Sequence, residues 1–312
     1  MALPLPASAH PYRSRSIGLF SVTAACFCCI AFDTGCRSDV TPLAAAPSPP
    51  RRILSHTLAT DEILLELVPV ERVVGVSNLV DDPEISSVPG RYPDHVLRLR
   101  EADAERIIGL NPDLVCVAPY NSIDFIQLLE RSGFTVYHNE SVHSIDEVEA
   151  GIQQLGERVG EPERARQLVS QMQARRKAIA DRLQGLRQRP RVLFWSAGFT
   201  AGPGSTIDDL IREAGALNVA AELGLGDSAE ISPERMLAAD PDYVLLCRWA
   251  GDDRPNQVAN HPILRQLRAV QANQVLSVEG RYLTSVSQYV VEGVEQLARL
   301  LHPKRFPKEA AR

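Results

Sequence analysis

Two groups of arginines are the residues best equipped for chemistry in this chain. Arg91, Arg98 and Arg100 fall in one short stretch, and Arg248, Arg254 and Arg281 lie far downstream. A guanidinium keeps its charge when desolvated, and its planar fork meets carboxylate, catecholate or hydroxamate oxygens. Asp81, Asp82, Asp94, Glu101, Asp252 and Asp253 offer the same arginines a competing fate as ion pairs. Aromatic residues are scarce, so those near expected loops carry information: Tyr92, Tyr120, Trp195, Phe199, Trp249 and Tyr282. Tyr120 and Trp249 each follow a strand-like run led by Pro-Asp. Opposed rings of this kind stack on a flat ligand, or else pack at the edge of a domain. His56 and His95 also fall in expected loops, but the histidines are scattered and no Cys/His cluster has zinc spacing, so no metal site is expected.

Catalysis finds little support. Gly-x-Ser-x-Gly, Walker and His-Glu-x-x-His patterns are missing from the sequence. Gly202-Pro203-Gly204-Ser205 precedes an expected helix, but the proline removes a donor and no P-loop lysine follows. Gly198, Gly202 and Gly204 lack dinucleotide-binding spacing. The expectation is therefore that the chain is not an enzyme and carries no cofactor. The net charge of −6, with acids and bases mixed along the chain, argues against a nucleic-acid partner.

The elements that must position these residues come in two similar sets. Residues 105–117 (ERIIGLNPDLVCV) and 234–246 (ERMLAADPDYVLL) match at Glu-Arg, Pro-Asp and Val, 129 residues apart. Each reads as a helix end, a Pro-Asp turn and a buried strand. Strands are also expected at Arg52–Ser55, Val73–Val76, Thr135–Tyr137, Arg191–Trp195 and Gln274–Val278. Helices open at Thr60-Asp61-Glu62 and after Ser205. Strands alternating with helices imply an α/β fold of two Rossmann-like lobes, each with a central parallel or mixed sheet. The lobes are bridged by one long helix over Pro162–Arg187, with the apolar stripe Ala165, Leu168, Val169, Met172, Ile179, Leu183 and Leu186. At about 26 residues it would be about 39 Å long, ended by Arg189-Pro190. A single helical connection restrains closure, so small lobe motions are expected. Cys116 and Cys247 fall in apolar runs and read as buried thiols.

The N-terminus reads as a targeting segment. Arg13 and Arg15 precede the apolar run Ile17–Phe32, and Gly35-Cys36 follows directly. This resembles a lipoprotein signal with lipid attachment at Cys36, although Asp33 stands where an aliphatic residue is usual; a cleaved secretory peptide or an uncleaved anchor are the alternatives. Residues 37–50 are rich in Pro, Ala and Ser and read as a flexible tether. The expected organisation is thus a signal peptide at 1–36, a tether at 37–50, a first lobe at 51–160, a bridging helix at 161–188 and a second lobe at 189–312.

Across about residues 51–302 the chain resembles the helical-backbone periplasmic binding proteins for iron complexes and cobalamin. The marks are Arg52-Ile-Leu-Ser55 with Thr60-Asp61-Glu62, Arg72 to Ser77, Glu105 to Pro112-Asp113, Leu128 to Gly133, Gly204-Ser205 to Asp209, Glu213 to Asn218, and Ser232 to Pro241-Asp242. The resemblance implies a ligand between the lobes and the role of substrate-binding subunit to an ABC permease dimer in a bacterial membrane, outside the cytoplasm. It also implies that Glu105 and Glu234 dock on the permease. Cobalamin binders of this type place aromatics where this chain has Leu79, Leu99 and Ser228. Haem binders place an axial tyrosine where it has Arg98, with Tyr92 six residues earlier. Siderophore binders use arginine near this loop. The expected ligand set is His56, Leu79, Arg91, Tyr92, Arg98, Arg100, Tyr120, Trp195, Phe199, Arg248, Trp249, Arg281 and Tyr282. The expected cargo is an anionic iron chelate, with a corrinoid and then haem as alternatives.

Overall fold

The structure, a computed structural model, describes residues 48–100, 103–140, 142–249 and 253–307. The run Ile17–Phe32, Cys36 and the tether as far as residue 47 lie outside the described residues. In the first lobe the elements are β1 (Ile53–Ser55), α1 (Leu58–Leu67), β2 (Val73–Ser77), β3 (Leu97–Leu99), α2 (Ala104–Gly109), β4 (Leu114–Val117), α3 (Ile123–Arg131), β5 (Val136–His138) and α4 (Ile145–Val159). The strands pair in parallel in the order β3-β2-β1-β4-β5. All residues of the central strands β1 and β4 are buried, as continuous apolar runs covered on both faces should be. Helix α5 (Pro162–Leu183) leads to the second lobe: β6 (Arg191–Phe194), β7 (Phe199–Thr200), α6 (Thr206–Glu213), β8 (Leu217–Asn218), α7 (Val219–Glu222), β9 (Ala229–Glu230), α8 (Pro233–Ala239), β10 (Tyr243–Arg248), α9 (Arg254–Asn260), α10 (Arg268–Gln271), β11 (Val275–Glu279), α11 (Gly280–Leu283) and α12 (Val290–Leu301). Thr57, Ser122, Ser144, Ser205 and Ser232 cap α1, α3, α4, α6 and α8, each accepting from the amide three residues on. Such caps contribute about 1 kcal/mol each. The side chains of Cys116 and Cys247 are buried, as expected.

The repeat marks the same joint in both lobes. The parallel sheet of the second lobe runs β11-β10-β6-β8, the order of the first once β3 is set aside. Asn111 and Asp240 take left-handed backbone at φ 45° and 42°, which their short polar side chains tolerate, and a proline follows each. Asp113 Oδ2 then accepts from the amides of Arg51 and Arg52 at 2.7 and 2.9 Å, and Asp242 Oδ2 from the Arg191 amide at 2.8 Å. In return Arg52 Nη2 donates to the Leu110 carbonyl at 2.6 Å, and Arg191 Nη1 to the Ala239 and Asp240 carbonyls at 3.1 and 2.9 Å. Each lock pins the start of a central strand to the end of the helix before its neighbour. Among the described residues the second parallel sheet has no counterpart of β3; β9 pairs antiparallel with β7.

Two expectations change. The bridging helix has 22 residues, Pro162–Leu183, which at 1.5 Å per residue is about 33 Å. Pro162 lies in its first turn, as expected. It stops before Arg189-Pro190 because Gln184 turns to φ −58°, ψ 141° and Gly185 takes φ 71°, which glycine adopts at least cost. The stretch 91–100, read as a cleft loop, contains the edge strand β3, and Val88, Tyr92, Val96 and Leu99 are buried. A strand of three residues is too short to show alternation in sequence.

The lobes are joined by more than the helix. The stripe Ala165, Val169, Met172, Ile179 and Leu183 is buried, and one apolar cluster runs through it from Ile53 and Leu64 to Val290 and Leu297. Buried Glu62 on α1 accepts from the Ser87 amide at 2.7 Å and from the hydroxyl of Ser287 in the second lobe; Gln288 Nε2 donates to its carbonyl at 3.0 Å. The mirror contact has Asp209 on α6 accepting from the Ile145 amide of α4 at 2.9 Å.

Candidate functional site

The C-terminal ends of the parallel strands of each lobe carry the candidate binding residues, the usual ligand position in such sheets. Most large apolar side chains of this chain are buried. Leu79, after β2, is 37% exposed; Tyr120 and Ile123, after β4, are 65% and 72% exposed; Phe199, after β6, is 43% exposed. Among the described residues Leu128, Leu217 and Leu300 are exposed to a similar degree, so exposure gains weight only for the residues at the strand ends that face a ligand position. A cavity of about 320 Å³ brings Pro83 and Glu84 of the first lobe against Arg248, Trp249, Glu279 and Arg281 of the second. Trp249 lies flat on Gly280: a Cβ there would meet its ring carbons at 2.2–2.5 Å. Glu279 takes one arginine on each oxygen, Arg248 Nη2 at 2.8 Å and Arg281 Nη2 at 2.5 Å. The Arg281 guanidinium covers the ring of Tyr282 at 4.8 Å.

Several expected ligand residues serve other ends. Arg98 donates to Asp81 through Nε and Nη2 at 2.7 and 3.2 Å. It also donates to the carbonyls of Pro93, Val96 and Tyr92 at 2.8, 2.6 and 2.8 Å. Its fork is spent holding the segment before β3, and it keeps the Asp81 carboxyl below its ordinary range. Tyr92 is 2% exposed and donates to the Asp61 carbonyl at 2.7 Å; burial pushes its phenol well above the usual range, so it is no axial ligand. Arg91 Nη1 bridges Glu66 and the hydroxyl of Tyr289, both at 3.1 Å, which puts it on the lobe seam. His56 is buried against the Phe125 ring, centroids 4.9 Å apart, with Nδ1 3.2 Å from Asn121 Nδ2. Trp195 packs on an apolar cluster of the second lobe with Val219 and Ile231. Arg100 is exposed. Among the described residues no group of three or more His, Cys, Asp or Glu could hold a metal ion.

Glu105 and Glu234 occupy the first turns of α2 and α8, which precede the equivalent strands β4 and β10, and both are exposed. The Glu234 carboxyl is held below its ordinary range by its own amide and the Ser232 hydroxyl. Sequence reasoning missed Pro83 and Glu84, which line the interlobe cavity. It also missed the acids Asp61 and Glu62, whose first-turn position looked like ordinary helix-dipole placement. Asp61 is fully buried; its carboxylate accepts from the Ser77 amide at 3.2 Å and hydroxyl at 2.5 Å.

Two α/β lobes with parallel sheets, connected along the chain by α5 and sharing a cavity lined by loop residues of both, define a two-lobed binding protein. The chain belongs to the periplasmic binding protein family, whose profile matches residues 53–282. It is 27% identical over 267 residues to the cobalamin-binding protein of Halobacterium salinarum, covering 82% of this chain and 70% of the relative. It is 24% identical over 291 residues to the ABC transporter substrate-binding lipoprotein YvrC of Bacillus subtilis, covering 89% and 87%. A possible iron-binding periplasmic protein of Staphylococcus epidermidis shares the fold at a TM-score of 0.73 and 20% identity, covering 81% of this chain and 99% of that one. Among the described residues no helix is long and apolar enough to cross a membrane.

Proposed function

We propose that this chain is the extracytoplasmic binding subunit of an ABC importer and that its cargo is a corrinoid. The observation that carries the choice of cargo is the exposure of Leu79, Tyr120, Ile123 and Phe199 at or near the strand ends, with Trp249 lining the interlobe cavity. Apolar and aromatic groups of this kind suit a broad ring system with an apolar face. The arginines that favoured an anionic iron chelate are largely committed: Arg98 to Asp81, Arg91 to Glu66, Arg248 and Arg281 to Glu279. The name of the Halobacterium relative agrees with this reading. Exposed Arg100 keeps the chelate as a second reading.

Titration of the purified protein with cyanocobalamin, a ferric tris-catecholate, haemin and free ferric ion separates the cargoes. Tryptophan fluorescence should be quenched by cyanocobalamin with a micromolar or tighter Kd. Tighter binding of the catecholate or haemin would refute the corrinoid. Trp249→Ala should weaken cyanocobalamin by about 10- to 100-fold, the worth of one buried aromatic contact. Gly280→Ala, by lifting the ring off its seat, should reproduce that loss without touching the ligand; unchanged affinity would remove Trp249 from the site.

The reading also gives Cys36 the lipid that holds the subunit at a membrane. Cys36→Ala should release the protein from the membrane fraction, and an unchanged distribution would discard the anchor.

A further inference from the structure

One guanidinium on α5 is divided between the lobes. Arg176 Nε and Nη2 both face Glu213, at the end of α6 in the second lobe, at 3.0 and 2.5 Å. Its Nη1 faces Asp146 at 2.8 Å and Glu149 at 2.6 Å, in the first turns of α4 in the first lobe. Glu149 is 6% exposed and takes a second bond from Gln173 at 2.7 Å. The neighbouring Arg175 makes ion pairs of similar length, to Glu292 and Glu295 at 2.7 and 2.9 Å, but both partners lie on α12 of the second lobe. Of these two adjacent arginines, only Arg176 spans the junction.

We infer that Arg176 is a positioning residue that sets the angle between the lobes, and through it the width of the cleft and the spacing of Glu105 and Glu234. Its consequence for transport rests on the binding-subunit reading above; its geometry does not. The apolar stripe beneath it tolerates sliding, since packed helices shear by small steps. A planar fork does not. Rotation of either lobe about α5 carries α4 or α6 out of the guanidinium plane and breaks one half of the set. Lysine offers a point charge and satisfies one lobe at a time.

The test is the interlobe distance distribution in the full-length protein without ligand. Spin labels are attached through p-acetylphenylalanine placed at exposed Gln127 on α3 and exposed Gln257 on α9. Arg176→Met and Arg176→Lys should each widen the distribution by roughly twofold, as expected when a shear interface loses its fixed fork. Arg175→Met should leave the width of the parent. Arg176→Lys keeps the charge and the stem, so it decides the matter if the methionine variant does not fold. Parental width in the Arg176 variants, or equal broadening in Arg175→Met, overturns the inference. Failure of the cargo reading shows separately, as absent cyanocobalamin binding in the parent.

Discussion

Glu105→Arg together with Glu234→Arg, the pair that the binding-subunit reading would dock on the permease, should abolish uptake by cells while leaving the Kd of the purified protein for its cargo within about twofold, because charges at an interface rim govern association and register. Both side chains are exposed, and both stand in the first turn of the helix that precedes a matching strand. The strand orders β2-β1-β4-β5 and β8-β6-β10-β11 make the positions equivalent. Two equivalent carboxylates would suit a permease with two-fold symmetry, each meeting the same surface on one half. Reversal would turn both contacts repulsive, so the double variant should lose more uptake than either single variant. Uptake is measured with labelled cargo in a strain carrying the variant as its only copy. Retained uptake would end the docking role, and lost cargo binding would show that the carboxylates act on the site itself.

The second large effect concerns Asp61. Burial pushes its carboxyl up to about 8, against the opposing hydrogen bonds of Ser55 and Ser77, and neighbouring Glu62 adds to the rise. Glu62 is itself raised by burial, with Ser287 and Ser87 opposing. A carboxyl whose folded value exceeds its unfolded value of 3.8 binds its proton more tightly in the folded chain. Its contribution to stability is therefore complete below about pH 4 and is lost as pH rises through about 8. Relative to Asp61→Asn, the parent should lose stability across that window with a slope of up to about 1.4 kcal/mol per pH unit, one proton's worth. Urea unfolding of both proteins from pH 4 to 8 reads the difference. A difference that does not change with pH would mean that Asp61 keeps its ordinary acidity.

What could be read in advance was what chain-local chemistry dictates. The Pro-Asp joints were legible because a left-handed Asn or Asp, a proline and an acid are consecutive residues that make their own turn. Pro162 and the stripe from Ala165 to Leu183 announced the bridging helix for the same reason. The end of that helix was misjudged because Gly185, a weak signal, outweighed Arg189-Pro190, a strong one. The roles of the arginines were not legible. Arg98 meets Asp81 17 residues away, and Arg91 meets Tyr289 198 residues away. Whether a guanidinium faces a ligand or a carboxylate is settled by folding, not by spacing. The burial of Asp61 and Glu62 escaped for a related reason, since a first-turn acid looks alike whether water or another lobe lies beyond it.

The contact between Glu62 and Ser287 spans 225 residues of chain. Within the first lobe Glu62 is met by the Ser87 segment, and its bond from the Ser287 hydroxyl needs the second lobe. Only arrival of the segment ahead of α12 completes the closure, and contacts so distant along the chain form slowly. This part of the seam is therefore completed only when both ends of the described chain have come together.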